Sequence, residues 1–388
     1  MAIRSRLVLL SLLGVLVLPS RGVLAQEAAA DLPAGVPDLD AWVERTLETF
    51  EVPGVAITIV KDGEVVLARG FGVRRIGEST PVDARTRFGI ASNTKAFTAT
   101  ALGLLVEDGL LEWDASVIDY LPWFQMWDPW VTREITVRDL LVHRSGLGLG
   151  QGDLLYWPES DFTRREIVEA VRYLEPVTSF RSAYAYDNIL YHVAALVIEE
   201  VSGLTWEDFV QARIIEPLGM EDTRVTRAST LEEGNVATPH ARIEGTVRPV
   251  VPLAATATNA AGGINSTAAD MAKWLIVQLD SGRVSGSERI FSGRTTTQLW
   301  KPVTPLPIGR VPEGMEPMQA QFAGYALGFG IRDHRGQKMI THTGGLPGYV
   351  SRVTMIPGLK LGIAVLTNQE MGVAFESITN RILDHYLE

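Results

Sequence analysis

The chain has 388 residues, of which 46% are hydrophobic and 21% charged, with Gly 36 and Pro 20 scattered without period. That composition excludes a disordered chain and a collagen-like or low-complexity one. The net charge of −11 opposes a phosphate backbone, and the closest basic pairs (Arg74-Arg75, Arg164-Arg165) sit beside acids, so no nucleic-acid partner is expected. With Cys 0 there is no disulfide, thiolate metal site or cysteine nucleophile.

Arg4 and Arg6 precede an apolar run from Leu7 to Leu18, and Val23-Leu24-Ala25 follows. This order predicts a secretory signal peptide over residues 1–25 and an exported protein, periplasmic or secreted. A run of that length spans about 18 Å as a helix, against roughly 30 Å of hydrocarbon, so no stable membrane insertion is expected after cleavage. An uncleaved anchor is the competing reading. Residues 26–37, rich in Ala, Pro, Gly and Asp, read as a tether.

Asp40–Phe50 is helix-periodic. The β-branched runs Val55–Val60 and Glu64–Ala68 join through Lys61-Asp62-Gly63, a hairpin signal because the turn needs positive φ. Ser92-Asn93-Thr94-Lys95 opens an apolar helix to about Asp108. Thr136/Asp139, Thr163/Glu166, Thr205/Asp208 and Thr267/Asp270 each have the capping-box form, and Gly146, Gly203 and Pro217 read as stops. A further helix follows Tyr186-Asp187-Asn188, from Ile189 to Val201. Strand runs return at Leu327–Arg332, Lys338–Thr343, Tyr349–Ile356 and Leu361–Thr367, and Phe375–Tyr386 closes the chain as a helix. Strands at both ends with helices between predict an α+β fold: an antiparallel sheet assembled from both termini, flanked by helices, with an all-helical insertion.

Several chemistries lack their motif: there is no phosphate loop, no G-x-S-x-G elbow and no H-E-x-x-H. The six His are spread along the chain, so neither a metal nor a cofactor is expected. Ser92 and Lys95, one turn apart on a helix face, pair a hydroxyl with an amine able to take its proton, at a helix end whose field favours negative charge. Ser92 as a plain N-cap is the ordinary alternative. Tyr186 offers a phenol and Asn188 both a donor and an acceptor; a buried Tyr beside an Asn cap is equally ordinary. His342-Thr343-Gly344-Gly345 ends an apolar strand, where glycines let a substrate approach the backbone. Trp123, Phe124, Trp127 and Trp130 form an aromatic cluster, either a pocket wall or a satellite core.

The order S-x-x-K, Y-x-N, H-T-G resembles the serine β-lactamase and penicillin-binding-protein superfamily, in particular class C β-lactamases and D-Ala-D-Ala carboxypeptidases of the S12 peptidase type, over roughly Val36 to Glu388. Leu140–Leu147 and Ala261–Ser266 support it. The resemblance implies a five-stranded antiparallel sheet, with the α/β part about 38–90 and 322–388 and the helical part about 91–321. It implies Ser92 as acylated nucleophile, Lys95 as the group that helps deprotonate it, and Tyr186 as general base and then acid, its proton affinity lowered by Lys95. Asn188 would orient Lys95 and bind a substrate amide. The N–H groups of Ser92 and Gly345 would form an oxyanion hole. His342 stands where many β-lactamases carry Lys, which points away from efficient β-lactam turnover, and Asp187 is expected to face away from the pocket. The implied function is an exported serine hydrolase acting through an acyl-enzyme on an ester or amide of a small molecule or peptide: an esterase, a D-aminopeptidase or a D-Ala-D-Ala carboxypeptidase-like enzyme. A class C-like β-lactamase and a slowly acylating penicillin-binding sensor are the alternatives. Neither the natural substrate nor the oligomeric state is legible.

Overall fold

The computed structural model describes residues 35–232 and 234–387; the signal segment and nearly all of the expected tether lie outside them. Of the expected tether, 26–37, only residues 35–37 are described. Val36 is buried against the helices that cover the sheet, and Arg381 donates to the Pro37 carbonyl at 2.8 Å, so the chain is docked from there on.

Helix α1 (Leu39–Phe50) leads into β1 (Gly54–Lys61) and β2 (Glu64–Gly72). The turn between the strands has positive φ at both Asp62 and Gly63, as the Asp-Gly pair requires. Helix α2 (Thr94–Glu107) is buried along almost its whole length. That explains its nearly unbroken apolar sequence, since a helix covered on every side has no face to leave polar. Helices α3 (Ile189–Ser202) and α4 (Ala268–Leu279) follow. Strands β3 (Thr304–Pro305), β4 (Ala323–Tyr325), β5 (Gly330–His334), β6 (Gln337–Leu346), β7 (Tyr349–Ile356) and β8 (Leu361–Thr367) precede helix α5 (Gly372–Tyr386).

The sheet has eight strands in the order β2-β1-β8-β7-β6-β5-β4-β3, all neighbours antiparallel. The six strand runs read from the sequence fall on β1, β2, β5, β6, β7 and β8, one more than the five that the resemblance implies; β4 and β3 continue beyond β5. β1 docks on β8, Val55 opposite Thr367, which joins the two ends of the chain. Successive residues of β1 and β8 face opposite ways. Ile57, Ile59, Ile363 and Val365 pack under α1 and α5, while Ala56, Ala364 and Leu366 join the larger core with α2 and α4. Both faces are covered, hence the unbroken apolar runs.

The region between the strand groups is not all-helical. It holds two small hairpins, His240–Ile243 with Thr246–Pro249 and Arg283–Ser285 with Glu288–Arg289, and it contributes β3 to the sheet. All four predicted caps accept the expected backbone N–H, at Thr136, Thr163, Thr205 and Thr267. At Thr136/Asp139 the capped segment is a 3-10 turn, Arg138–Leu141, and Asp139 also accepts from Arg144 and Arg181.

Candidate active site

Ser92 lies in a 3-10 turn, Ala91–Asn93, that leads into α2, whose N-cap is Asn93 rather than Ser92. Ala91 has φ 51, the left-handed region that a Cβ disfavours. The turn is held from β6 and β7. Ser351 Oγ donates to the Ile90 carbonyl at 2.7 Å and accepts from Asn93 Nδ2 at 2.8 Å. On β6, a Cβ at Gly344 would stand 2.3 Å from the Ile90 carbonyl oxygen and 2.9 Å from Ala91 Cβ. Only glycine lets this strand lie against the turn.

Helical spacing brings Lys95 Nζ to 3.2 Å from Ser92 Oγ, and tertiary folding brings the Tyr186 phenol to donate to the same oxygen at 3.0 Å. Lys95 is fully buried; it also donates to Asn188 Oδ1 at 2.8 Å and to the Ala261 carbonyl at 2.9 Å. Burial lowers its pKa to about 7, against the partial opposition of Asp187 and Asp153. A neutral amine keeps two N–H bonds and one lone pair. With the two donors spent on Asn188 and Ala261, the lone pair faces the Ser92 hydroxyl. A chain of bonds then runs from Tyr186 to Ser92 to Lys95.

Tyr186 does not show the lowered proton affinity that the resemblance implies. Burial raises its pKa, and the bond to Ser92 offsets this only in part. The phenol stays protonated and acts as a donor, and the group with the lowered proton affinity is Lys95. Asn188 is set by its own partner: Nδ2 donates to Asp153 Oδ2 at 3.2 Å, so Oδ1 must face Lys95. Asp153 in turn accepts from the Tyr156 hydroxyl. The Asp187 carboxylate turns from the cavity, accepting from Leu190 N at the start of α3 and lying 3.4 Å from Ser145 Oγ.

His342 offers a substrate less than its position suggested. Nδ1 lies 2.6 Å from the Thr343 carbonyl, to which it must donate; Nε2 therefore accepts from the Tyr325 hydroxyl at 2.7 Å. Burial, with Lys95 nearby, depresses its pKa to about 3, so the ring is neutral with both nitrogens engaged. Gly345 lies on the same strand, opposite Val350, with open space where a side chain would stand. Ser92, Tyr186, Asn188, His342 and Gly345 line one cavity of about 500 Å³. Lys95 sits behind Ser92.

Sequence reasoning missed Tyr325, Asp153, the Ala261 carbonyl and Trp157, which also lines the cavity. Of these, Ala261 lies in the segment Ala261–Ser266 already singled out, and Asp153 and Trp157 lie in the loop Gly148–Trp157 on which the pocket's shape is expected to depend. Arg352 of β7 reaches the cavity too, but is paired with Glu376 of α5. The aromatic cluster divides. Phe124 is core, whereas Trp127 and Trp130 line a separate hollow of about 610 Å³ together with Phe180. That hollow is the larger, yet none of the Ser92 cluster lines it. Among the described residues, no group of three or more His, Asp or Glu is placed to hold a metal ion, and no single helix is long and apolar enough to cross a membrane.

The family model described as Beta-lactamase matches residues 39–387. The chain is 31% identical to unguisins hydrolase ungD' of Aspergillus campestris (strain IBT 28561) over 348 residues, 85% of this chain and 60% of that protein. It thus spans about three fifths of that relative. It is 27% identical to penicillin-binding protein 4 of Amycolatopsis lactamdurans over 342 residues, 86% of each chain. Among solved structures, the octameric penicillin-binding protein homologue from Pyrococcus abyssi superposes with a TM-score of 0.77 at 28% identity, over 90% of this chain and 77% of that one.

Proposed function

The chain belongs to the β-lactamase family, and from that premise we propose that it is a serine hydrolase that cleaves an ester or amide through an acyl-enzyme on Ser92. The supporting observation is the convergence of Lys95 Nζ and the Tyr186 phenol on one hydroxyl oxygen, at 3.2 and 3.0 Å. Neutral Lys95 takes the Ser92 proton as Oγ bonds to the substrate carbonyl carbon. The phenol of Tyr186 donates to the developing charge and then protonates the leaving oxygen or nitrogen as its bond to carbon breaks. The proton that Lys95 took from Ser92 then returns to the Tyr186 phenolate, which leaves the amine neutral. Water then attacks the acyl-enzyme by the reverse proton path. The backbone N–H groups of Ser92 and Gly345 stabilise the oxyanion.

The relative from Aspergillus campestris is named as a hydrolase, which fits this reading. Efficient β-lactam turnover fits less well, since His342 is neutral and has no free donor for a carboxylate. Esters and amides, including D-amino-acid peptides, remain the better substrates. The test is turnover of p-nitrophenyl esters, D-amino-acid anilides and a cephalosporin by wild type and Ser92→Ala, with intact mass read during turnover. A transient acyl adduct and an inactive Ser92→Ala protein are expected; activity surviving in Ser92→Ala would end the proposal.

We also propose that residues 1–25 direct export, on the strength of Arg4, Arg6, the Leu7–Leu18 run and Val23-Leu24-Ala25. N-terminal sequencing of the exported protein should begin at Gln26. A mature chain starting at Met1 would exclude cleavage.

A further inference from the structure

Ser92, Asn188, Trp157 and Gly345 line two hollows. The wide one, about 500 Å³, contains Tyr186 with Tyr184, Tyr325 and Leu306. The other is about 40 Å³ and contains Leu253, Leu346 and Tyr156, but not Tyr186. A carbonyl carbon attacked by Ser92 Oγ carries its acyl group and its leaving group on opposite sides. The leaving atom must meet the proton donor, so the wide hollow with the Tyr186 phenol is the leaving-group side. The narrow one is left for the acyl group.

We propose that this narrow chamber, walled by Trp157, Leu253 and Leu346, limits the enzyme to short acyl groups while the wide side admits a large aromatic or apolar leaving group. The proposal rests on the serine-hydrolase reading and gives it a substrate class. By the measure in which one water needs about 10–15 Å³, about 40 Å³ holds roughly three small atoms, an acetyl or propionyl tail. The chamber does not widen easily. Tyr156 is buried with its hydroxyl on Asp153, and buried Arg227, which also lines the chamber, donates from Nη1 to Thr258 Oγ1 at 3.1 Å. Leu253 stands apart from these. It is half-buried on a segment without regular structure, so it can be changed without touching a helix or strand.

The experiment measures kcat/KM for p-nitrophenyl acetate, propionate, butyrate, hexanoate and octanoate with wild type, Leu253→Ala, Leu253→Phe and Ser92→Ala. Wild type should peak at two or three carbons and fall by roughly tenfold or more by hexanoate, the scale on which a pocket resolves single methylenes. Leu253→Ala should move the peak one or two carbons longer, and Leu253→Phe should favour acetate more sharply. A wild-type series flat or rising to octanoate, or a peak unmoved by both Leu253 variants, overturns the chamber. The two readings fail separately: an inactive Ser92→Ala with a flat series removes the chamber alone, whereas an active Ser92→Ala removes the hydrolase mechanism beneath it.

Discussion

The Tyr325 hydroxyl donates to Nε2 of His342 across 2.7 Å, with both residues buried. The bond leaves the imidazole nothing to offer a substrate and makes His342 a structural member of the cleft wall. Tyr325→Phe leaves Nε2 buried without a partner, at a cost of about 1–3 kcal/mol. The double variant His342→Leu/Tyr325→Phe removes both halves and should be less destabilised than the two single changes added together. Urea midpoints of the four proteins check this, and strict additivity would show that the bond does not couple them.

Activity should follow the protonation of Lys95. Burial brings its pKa to about 7, and the Asp187 carboxylate holds it from falling further. Turnover should therefore rise with pH through an acid limb near 7, as the neutral amine forms. Asp187→Asn removes the opposing charge while keeping an oxygen for Leu190 N, so the limb should move to lower pH. The pH profile of kcat/KM on an ester measures it; a limb unmoved or shifted upward contradicts the assignment.

The same burial makes the native state carry a cost. Lys95 has a pKa of about 7 when folded, against 10.5 for the free side chain. Below pH 7 the amine is charged in both states and the full penalty of burying it applies. Between 7 and 10.5 the unfolded chain binds the extra proton, so native stability rises with pH. Relative to Lys95→Met, wild type should gain a few kcal/mol (at most about 5) from pH 6 to pH 10. Denaturation of both proteins at those two pH values checks it; a constant difference would place the amine in a far wetter site.

Gly344 and Gly345 should respond oppositely to one methyl group. A Cβ at position 344 meets the Ile90 carbonyl at 2.3 Å, whereas at 345 nothing stands within 4 Å. Gly344→Ala should displace β6 from the Ser92 turn, with a loss of about 1–3 kcal/mol and a fall in kcat on the order of 100-fold. Gly345→Ala should fold as wild type and alter substrate affinity instead. Denaturation midpoints together with kcat and KM separate the two.

Features carried by short spacings were legible in the chain. Ser92 and Lys95 share a helix face because 3.6 residues make a turn, and Asp62-Gly63 makes a hairpin because the turn needs positive φ. The Thr caps at 163, 205 and 267 bond three residues ahead. The two added strands were less so. β3 and β4 have two and three residues, too few for an alternation to register, and they pair outward in turn from the edge that β5 presents.

Protonation could not be read in this way. The two donors that direct the Lys95 lone pair at Ser92 go to Asn188 and Ala261, far along the chain. The Tyr186 phenol remains a donor because desolvation disfavours its phenolate. Which residues could perform the chemistry was written in their identity and local spacing. Which of them holds the proton, and how much room lies beside the hydroxyl, depends on how completely water is excluded and on which distant carbonyls and carboxylates surround the site.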